Sequence, residues 1–324
     1  MLQRIQEWGD LQKVPVFQEE AEVKAGRNAE LFLRDIVQSH LAYKNVHTFI
    51  GKRVPVPRSS ARKEVDLIVV SDRQLHVIEV KNWSGELQRH GDKWVQVKRS
   101  GETVEYPNLD DYNNEKCSFL LTYLSDHGVE LDRQLVSQKI IFMNQHLKLD
   151  PAIHNRPNVI TIDKLASYLG KHSKSLSERL LFPVVEYCLS AEQLAKVAEK
   201  FRIIPSDKLE KIVALIAGIS TWDRLIFKGS KAMTGDLLKI QTKSFTMDRN
   251  QIKPRTTIEL HWTRAKLAGL LKAISGIGKL GSLTIPEYGT FSLSTRDFVK
   301  FHEAGNQDPT CISLSQIDHI LLGR

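Results

Sequence analysis

Two short segments decide the fold, EVDLIVV at residues 64–70 and LHVIEVK at residues 75–81. Both are rich in β-branched residues, and the polar residues 71–74 separate them. The pattern therefore predicts an antiparallel β-hairpin. With symmetric pairing across a four-residue loop, Val70 lies opposite Leu75.

Four charged residues meet at the open end of this hairpin. The same pairing places Asp66 opposite Glu79 and Glu64 opposite Lys81. Directly opposed residues point to the same face of a sheet, about 5 Å apart at Cβ. The other positions on both faces are apolar, so we expect the charged corner to lie within a buried sheet.

Two adjacent carboxylates in an apolar sheet are costly, because like charges repel and burial disfavours ionisation. A divalent cation would remove that cost, and oxygen ligands suit Mg²⁺ or Mn²⁺. Lys81 would then orient or deprotonate an attacking water while the cation polarises a phosphate. The pattern thus indicates phosphodiester hydrolysis. The alternative is a surface hairpin with solvated charges, in which Lys81 pairs with Glu64 or Glu79.

The same residues resemble a known family. Glu64-Val65-Asp66, followed by VIEVKNWSG at 77–85, is similar to the nuclease-related domain (NERD) of the PD-(D/E)XK, restriction-endonuclease-like superfamily. The resemblance begins near GRNAE at 26–30 and continues through 158–169, covering roughly residues 20–170. It implies an α/β domain with a restriction-endonuclease-like mixed sheet flanked by helices.

The resemblance also implies roles for individual residues. Asp66 and Glu79 would bind the metal, Mg²⁺ or Mn²⁺, together with the carbonyl of Val80. Lys81 would be the catalytic lysine, and Glu30 on the first helix would complete the site. An exposed charge on an amphipathic helix is the alternative for Glu30.

One segment departs from the family pattern. The family often has a Gln at the start of the helix that follows the second hairpin, and residues 106–110 (YPNLD) lack it. The contribution of this helix, from Asn113 or Lys116, is left open. Trp83 and Trp94 are expected to pack the second hairpin.

Length and composition favour a soluble globular protein. The chain has 324 residues, of which 41% are hydrophobic and 26% charged, which suggests about two domains. It has no run that would span a membrane, and residues 1–14 lack an apolar signal-peptide core. Cys117, Cys188 and Cys311 have no metal-knuckle spacing. We expect a reduced, cytoplasmic protein, neither disordered nor built around cysteine-bound zinc.

Positive charge is concentrated in the second half. Residues 1–170 contain 23 basic and 23 acidic side chains, whereas residues 223–280 contain 12 basic and 4 acidic ones. Such a block is a candidate phosphate-binding surface. A solvated face, or a docking surface for an acidic protein, is the alternative. The predicted nucleic-acid-binding residues are Lys239, Lys243, Arg249, Lys253, Arg255 and Arg264.

The predicted organisation has three parts: an N-terminal extension (1–19), the nuclease domain (20–172), and a helical linker with a basic α+β domain (173–324). The helices predicted in the third part are 178–202, 206–218, 263–274 and one at the end of 281–324.

The sequence therefore predicts a metal-dependent nuclease whose basic second half holds nucleic acid, with DNA favoured over RNA. One alternative is a non-catalytic nucleic-acid-binding subunit of a DNA-processing or anti-phage defence complex. Another is cleavage that needs a partner carrying a motor, because the chain has no G-x-x-x-x-G-K-[ST] motif. A protein partner or homo-oligomer is compatible with either, and no membrane partner is expected.

Overall fold

The structure is a computed structural model that describes residues 1–40, 46–171, 204–229 and 231–324. The helix predicted at 178–202 lies outside the described residues. The chain groups into two compact units, one formed by Ala21–Ile219 and the other by Met1–Glu20 with Ser220–Arg324.

The elements in the described part of the first 219 residues belong to the first unit, except α1, which belongs to the second. They are α1 (Leu2–Gln12), α2 (Ala21–His40), β1 (His47–Pro55), β2 (Arg62–Val70), β3 (Leu75–Lys81), β4 (Gly85–His90), β5 (Lys93–Val97), β6 (Thr103–Pro107), α3 (Leu109–Asp126), β7 (Val136–Phe142), β8 (Leu147–Leu149), α4 (Pro151–His154), β9 (Val159–Thr161), α5 (Ile162–Lys171) and α6 (Ser206–Gly218).

A five-stranded mixed sheet, in the order β1-β2-β3-β7-β9, is the centre of the first unit. β1, β2 and β3 are antiparallel, whereas β3, β7 and β9 run parallel. Val70 pairs with Leu75 and Leu67 with Ile78, which confirms the predicted register over this part of the hairpin.

Helices cover both faces of this sheet. Ile68 and Val77 pack towards α3 and α6, in a cluster that includes Leu120 and Ile212. The alternate strand residues, such as Leu67, pack towards α2 and α5. Because both faces are buried, the strands read as nearly continuous apolar runs. The fold is the restriction-endonuclease-like α/β arrangement that the sequence predicted.

A second, four-stranded sheet in the order β6-β5-β4-β8 begins four residues after Lys81. Its core contains Trp94, which is fully buried beside Phe142. Trp83 is half-buried and stacks on Tyr106 at a centroid distance of 4.2 Å. Both tryptophans therefore pack the second hairpin, as predicted.

The second unit is built mainly of strands. Its elements are β10 (Asp223–Phe227), β11 (Lys231–Gln241), β12 (Thr246–Asp248), β13 (Thr257–Trp262), α7 (Lys266–Ser275), β14 (Gly281–Ile285), β15 (Gly289–Leu293), β16 (Phe298–Glu303), β17 (Thr310–Ser313) and β18 (Ile317–Leu321). The strands form one nine-stranded sheet in the order β15-β14-β13-β18-β10-β11-β16-β17, and β12 also pairs with β11.

The helix predicted at the chain's end is wrong. Residues 281–324 form five strands and a short 3₁₀ turn at Leu314–Gln316. Ile317 and Ile320 have the spacing of a helical face, but both are buried in the core of the sheet. Tertiary burial in β18 thus overrides local periodicity.

The two compact units divide the chain at residues 20 and 219. α6 packs with the first unit, where the ammonium of Lys52 donates to the carbonyls of Ala217 (3.1 Å) and Ile219 (3.0 Å). α1 packs with the second unit, because Trp8 lies against Gly269 of α7. A Cβ at Gly269 would come within 2.7 Å of the indole.

Among the described residues, no helix combines the length and the hydropathy needed to cross a bilayer.

Candidate active site

The two strands of the hairpin stop pairing next to Asp66 and Glu79, where the charged residues were predicted to meet. Backbone pairing between β2 and β3 ends at Leu67 and Ile78. Beyond that point the carboxylate of Asp66 accepts a hydrogen bond from the amide of Val80 (2.8 Å). The predicted pairing of Asp66 with Glu79 is thus replaced by a side-chain bridge, because the acidic side chain occupies the position of a backbone carbonyl acceptor.

An irregularity in β1 and β2 accompanies this opening. Val65 and Ile68 pack in the same core cluster, although residues three apart point to opposite faces of a regular strand. Gly51, which lies opposite Asp66 in β1, has a φ of 58°. A Cβ there would be 3.3 Å from Oε1 of Glu64. At this interruption, Asp66 departs from the regular alternation of side chains between the two faces of the sheet.

Glu79 is the centre of the charged cluster. Its Oε1 accepts a hydrogen bond from the ammonium of Lys81 (2.6 Å), and its Oε2 accepts one from Lys116 (2.5 Å). The side chain of Glu79 is only 4% exposed. Burial acts to raise the pKa of this carboxyl, but the two lysines together hold the pKa below its ordinary value.

Lys116 is the residue of α3 whose side chain reaches the site. Asn113, one turn earlier, is fully buried and donates to the carbonyl of Lys139 (3.0 Å) and to Gln138 (3.0 Å). This anchor fixes α3 against β7 and points the Lys116 side chain at Glu79. The ammonium of Lys116 is 3% exposed. Only tertiary packing could distinguish it from the many other lysines of the chain.

Asp66 and Glu30 are carboxyls whose pKa values are raised, in contrast to that of Glu79. Burial, then the charge of Glu79, raise the pKa of Asp66 to about 7. Burial, then the charges of Asp66 and Glu64, raise the pKa of Glu30 to about 8. The structure therefore brings Glu30 of α2 to the same cluster as Asp66, rather than leaving it as an isolated surface charge.

The backbone of Val80 faces this cluster too. Its N–H donates to Asp66, whereas the carbonyl of the next residue, Lys81, accepts from the amide of Met143 on the opposite side (2.9 Å). The N–H and C=O groups of one strand residue point to the same side. The carbonyl of Val80 is therefore directed to the Asp66 side of β3.

The donor set is suited to a hard divalent cation. Burial and repulsion between neighbouring carboxylates raise the pKa values of Asp66 and Glu30. A bound divalent cation would offset that repulsion and stabilise the ionised carboxylates. In the described part of the chain, however, no three His, Cys, Asp or Glu side chains are already grouped to hold a metal. At Glu79, ammonium groups donate to both carboxylate oxygens.

The comparisons with known proteins agree with this geometry. Residues 25–143 match the family model of the nuclease-related domain. This part of the chain is therefore similar to the nuclease-related domain. This domain belongs to the restriction-endonuclease-like superfamily, in keeping with the mixed sheet. The matched range includes Glu30, Asp66, Glu79 and Lys81.

One curated relative also matches, a protein named "Probable kinase PglW" from Streptomyces coelicolor (strain ATCC BAA-471 / A3(2) / M145). It is 29% identical over 150 residues, which is 46% of this chain and 9% of the relative. The chain therefore spans only a small part of that protein's length. No solved structure matches the chain.

Outside the nuclease-related domain, Arg249 requires a correction. Its Nε donates to both carboxylate oxygens of buried Asp223 (3.1 and 3.0 Å), and its terminal nitrogens donate to the carbonyls of Ile252 (3.0 Å) and Gly323 (2.9 Å). These contacts lock β10 to the chain's end. Arg249 is thus a structural residue, not part of an open phosphate-binding surface.

The other predicted cations are differently placed. Arg264 is mostly buried and donates to the carbonyl of Ser315 (2.8 Å). Lys253 is exposed and pairs with Glu287 (2.6 Å). Lys243 and Arg255 are exposed, while Lys239 of β11 is half-buried in register with Lys300 of β16.

Replacing Lys116 with methionine should destabilise the metal-free protein by about 3 kcal/mol, because it leaves the buried Glu79 with a single cationic partner. Urea unfolding at pH 7 measures this change. Adding Glu79→Gln to Lys116→Met should restore part of the lost stability, with a coupling free energy of at least about 1 kcal/mol. Strictly additive effects would contradict the proposed ion pair.

Proposed function

We propose that the protein is a metal-dependent nuclease that hydrolyses phosphodiester bonds of DNA. The observation that carries the proposal is the convergence of Glu30, Asp66, Glu79 and Lys81 at the open end of the hairpin. The match of the surrounding residues to the nuclease-related domain supports it.

The residues that would hold Mg²⁺ or Mn²⁺ are Asp66, Glu79 and the carbonyl of Val80, with Glu30 completing the set. When bound, the cation supplies Lewis acidity towards the scissile phosphate. A cation that binds Glu79 would either use the second lone pair of an oxygen that already accepts from a lysine, or displace that lysine. Lys81 is the lysine more easily displaced, since its side chain is 22% exposed and that of Lys116 only 3%.

Lys81 acts here as a hydrogen-bond donor and a positive charge. Burial acts to lower its pKa, but the charges of Glu79 and Asp66 outweigh burial and raise the pKa above its ordinary value. Its Nζ therefore carries a proton at neutral pH. In the proposed reaction it orients the water or a phosphate oxygen and offsets negative charge, and the role of general base is not assigned to it.

A non-catalytic binding subunit is the second candidate, and the pairing of Glu79 favours it. Two ammonium groups neutralise this carboxylate without any metal. A domain of this kind could keep its fold and bind nucleic acid without cleaving it. The two candidates differ in metal binding and in product formation.

The test is incubation of the purified full chain with plasmid, linear duplex and single-stranded DNA, and with RNA of the same sequence. Each is assayed with Mg²⁺, Mn²⁺ or a chelator. The proposal expects divalent-metal-dependent cleavage of at least one DNA substrate. Binding to all of these polymers without cleavage under any condition would instead support the binding subunit.

We also propose that Lys239, Lys243, Lys253 and Arg255 in the second unit contact phosphates. Reversing all four to Glu should weaken duplex binding and flatten the log–log dependence of affinity on salt by about 3 to 4, at roughly 0.9 per lost contact. Fluorescence anisotropy of the full chain in a chelator measures this slope.

The matched control reverses four exposed cations that lie outside this group: Lys13, Arg58, Lys93 and Lys211. It changes the net charge equally but should leave the salt slope nearly unchanged. Equal flattening by both sets would show that total charge, and not this surface, determines binding.

A further inference from the structure

A cleft of about 630 Å³ lies beside the candidate active site in the first unit. One wall comes from β4 and the end of β5, and includes Lys98 and Arg99. The other comes from the segment after β7, and includes His146 and Lys148. We call this cleft, with Lys98, Arg99, His146 and Lys148, the basic cleft.

The backbone connects both walls to Lys81. Its carbonyl accepts from the amide of Met143, after which the chain runs through Gln145 into the second wall. In the other direction, β4 begins at Gly85, only four residues beyond Lys81. Four residues of extended chain span at most about 14 Å, so the cleft opens close to the proposed reaction centre.

An aromatic pair connects the cleft with the catalytic lysine. The ammonium of Lys81 lies 5.8 Å from the ring centroid of Trp83, which stacks on Tyr106. Burial raises the pKa of the Tyr106 hydroxyl, and the positive charges of Lys98 and Lys81 oppose that shift. Both cations are therefore near enough to Tyr106 to act on its hydroxyl.

The packing of Gly85 holds the first wall in place. Gly85 has a φ of 88°, and a Cβ there would come within 2.1 Å of the carbonyl oxygen of Val97. The side-chain amide of Gln96 also donates, through Nε2, to the carbonyl of Ser84 (2.8 Å). The backbone that presents Lys98 and Arg99 is thus fixed against β4.

The cations of the cleft are available to an anionic ligand. Lys148 pairs with Glu86 (3.1 Å), and Lys98 pairs with Glu102 (3.2 Å) and with Glu22 (3.4 Å). All three acids are well exposed, and surface ion pairs of this kind are weak. Arg99 is exposed and has no ion-pair partner among the described residues. Phosphate oxygens, which accept bidentate bonds from Arg, can displace these acids.

We propose that the basic cleft binds the sugar–phosphate backbone of the nucleic acid next to the bond that is cut. This inference rests on the proposed function, because it assigns the cleft to the polymer whose phosphodiester would reach Lys81. Several cations spaced along an open cleft fit an extended polyanion better than a single small anion.

The test compares two full-chain double variants in a chelator, so that binding is measured without cleavage. The cleft variant carries Arg99→Glu and Lys148→Glu. The matched control carries Arg89→Glu and Lys93→Glu, at the far end of the same β4–β5 hairpin. Equal thermal midpoints for both variants and the unmodified chain establish that folding is intact.

The cleft variant should bind a labelled single-stranded DNA oligonucleotide at least about tenfold more weakly, with a salt slope reduced by about 1.4 for two lost contacts. The control should change affinity less than about twofold. Equal weakening by the two variants, or none by the cleft variant, would overturn the proposal. Because no product is scored, failure of the nuclease activity cannot be mistaken for failure of the cleft.

Discussion

Replacing Lys81 with alanine is expected to lower the rate of DNA cleavage by at least about a thousand-fold. The change removes the more exposed of the two ammonium groups that contact Glu79. The donor that orients water or phosphate is lost with it. Glu79 keeps its buried partner Lys116, so the fold should be retained. The measurement is the initial rate with saturating Mg²⁺ under single-turnover conditions.

The matched control is Lys93→Ala, which removes an exposed lysine of β5 that pairs with Glu105. It should leave the rate within about twofold of that of the unmodified chain. Both variants should bind uncleaved DNA with similar affinity. Undiminished cleavage by Lys81→Ala would remove Lys81 from the reaction.

Replacing Asp66 with asparagine should have opposite effects on stability and on activity. The amide oxygen can still accept the Val80 hydrogen bond, but the side chain can no longer ionise. Metal-stabilised folding and cleavage should therefore be lost. In a chelator at pH 8, the variant should be more stable than the unmodified chain by about 2 kcal/mol.

The sign of this effect follows from the direction of the pKa shifts. The pKa of Asp66 is raised from 3.8 to about 7 and that of Glu30 from 4.5 to about 8, by burial and neighbouring carboxylates. Between pH 4 and pH 8 the unfolded chain releases these protons first, so the metal-free fold loses stability as pH rises. Glu79, whose pKa is lowered from its ordinary 4.5, and Lys81, whose pKa is raised, contribute little to the change between pH 5 and pH 8.

Urea unfolding at pH 5 and pH 8, with chelator and with Mg²⁺, measures these changes. The metal-free unmodified chain should be less stable at pH 8 than at pH 5, and Mg²⁺ should abolish the difference. Asp66→Asn should show a smaller pH effect and no response to Mg²⁺. Asp92→Asn, in the exposed β4–β5 turn, should behave like the unmodified chain. A metal response that survives in Asp66→Asn would exclude this residue as a ligand.

The sequence predicted the hairpin and its acidic corner because the period of two in a β-strand is a local signal. The four-residue loop was sufficient to set the pairing of Val70 with Leu75. It could not show that pairing would stop at Leu67, since Asp66 replaces a backbone partner only in the folded sheet.

Residues far apart in the chain were harder to place. Lys116 reaches Glu79 only because Asn113 fixes α3 against β7, 26 residues along the chain. Arg249 carries the same charge as the other cations of residues 223–280. Its guanidinium, however, is held against the protein by contacts with Asp223 and the carbonyl of Gly323. Charge counting cannot separate a solvated cation from a buried one.

The most direct test of the central claim is cleavage of end-labelled DNA by the full chain, in Mg²⁺ and in excess chelator, beside Lys81→Ala prepared identically. Products are expected only from the unmodified chain with Mg²⁺, and their absence from Lys81→Ala also excludes a contaminating nuclease. Cleavage that persists in chelator, or equal cleavage by Lys81→Ala, would contradict a metal-dependent reaction centred on Asp66, Glu79 and Lys81.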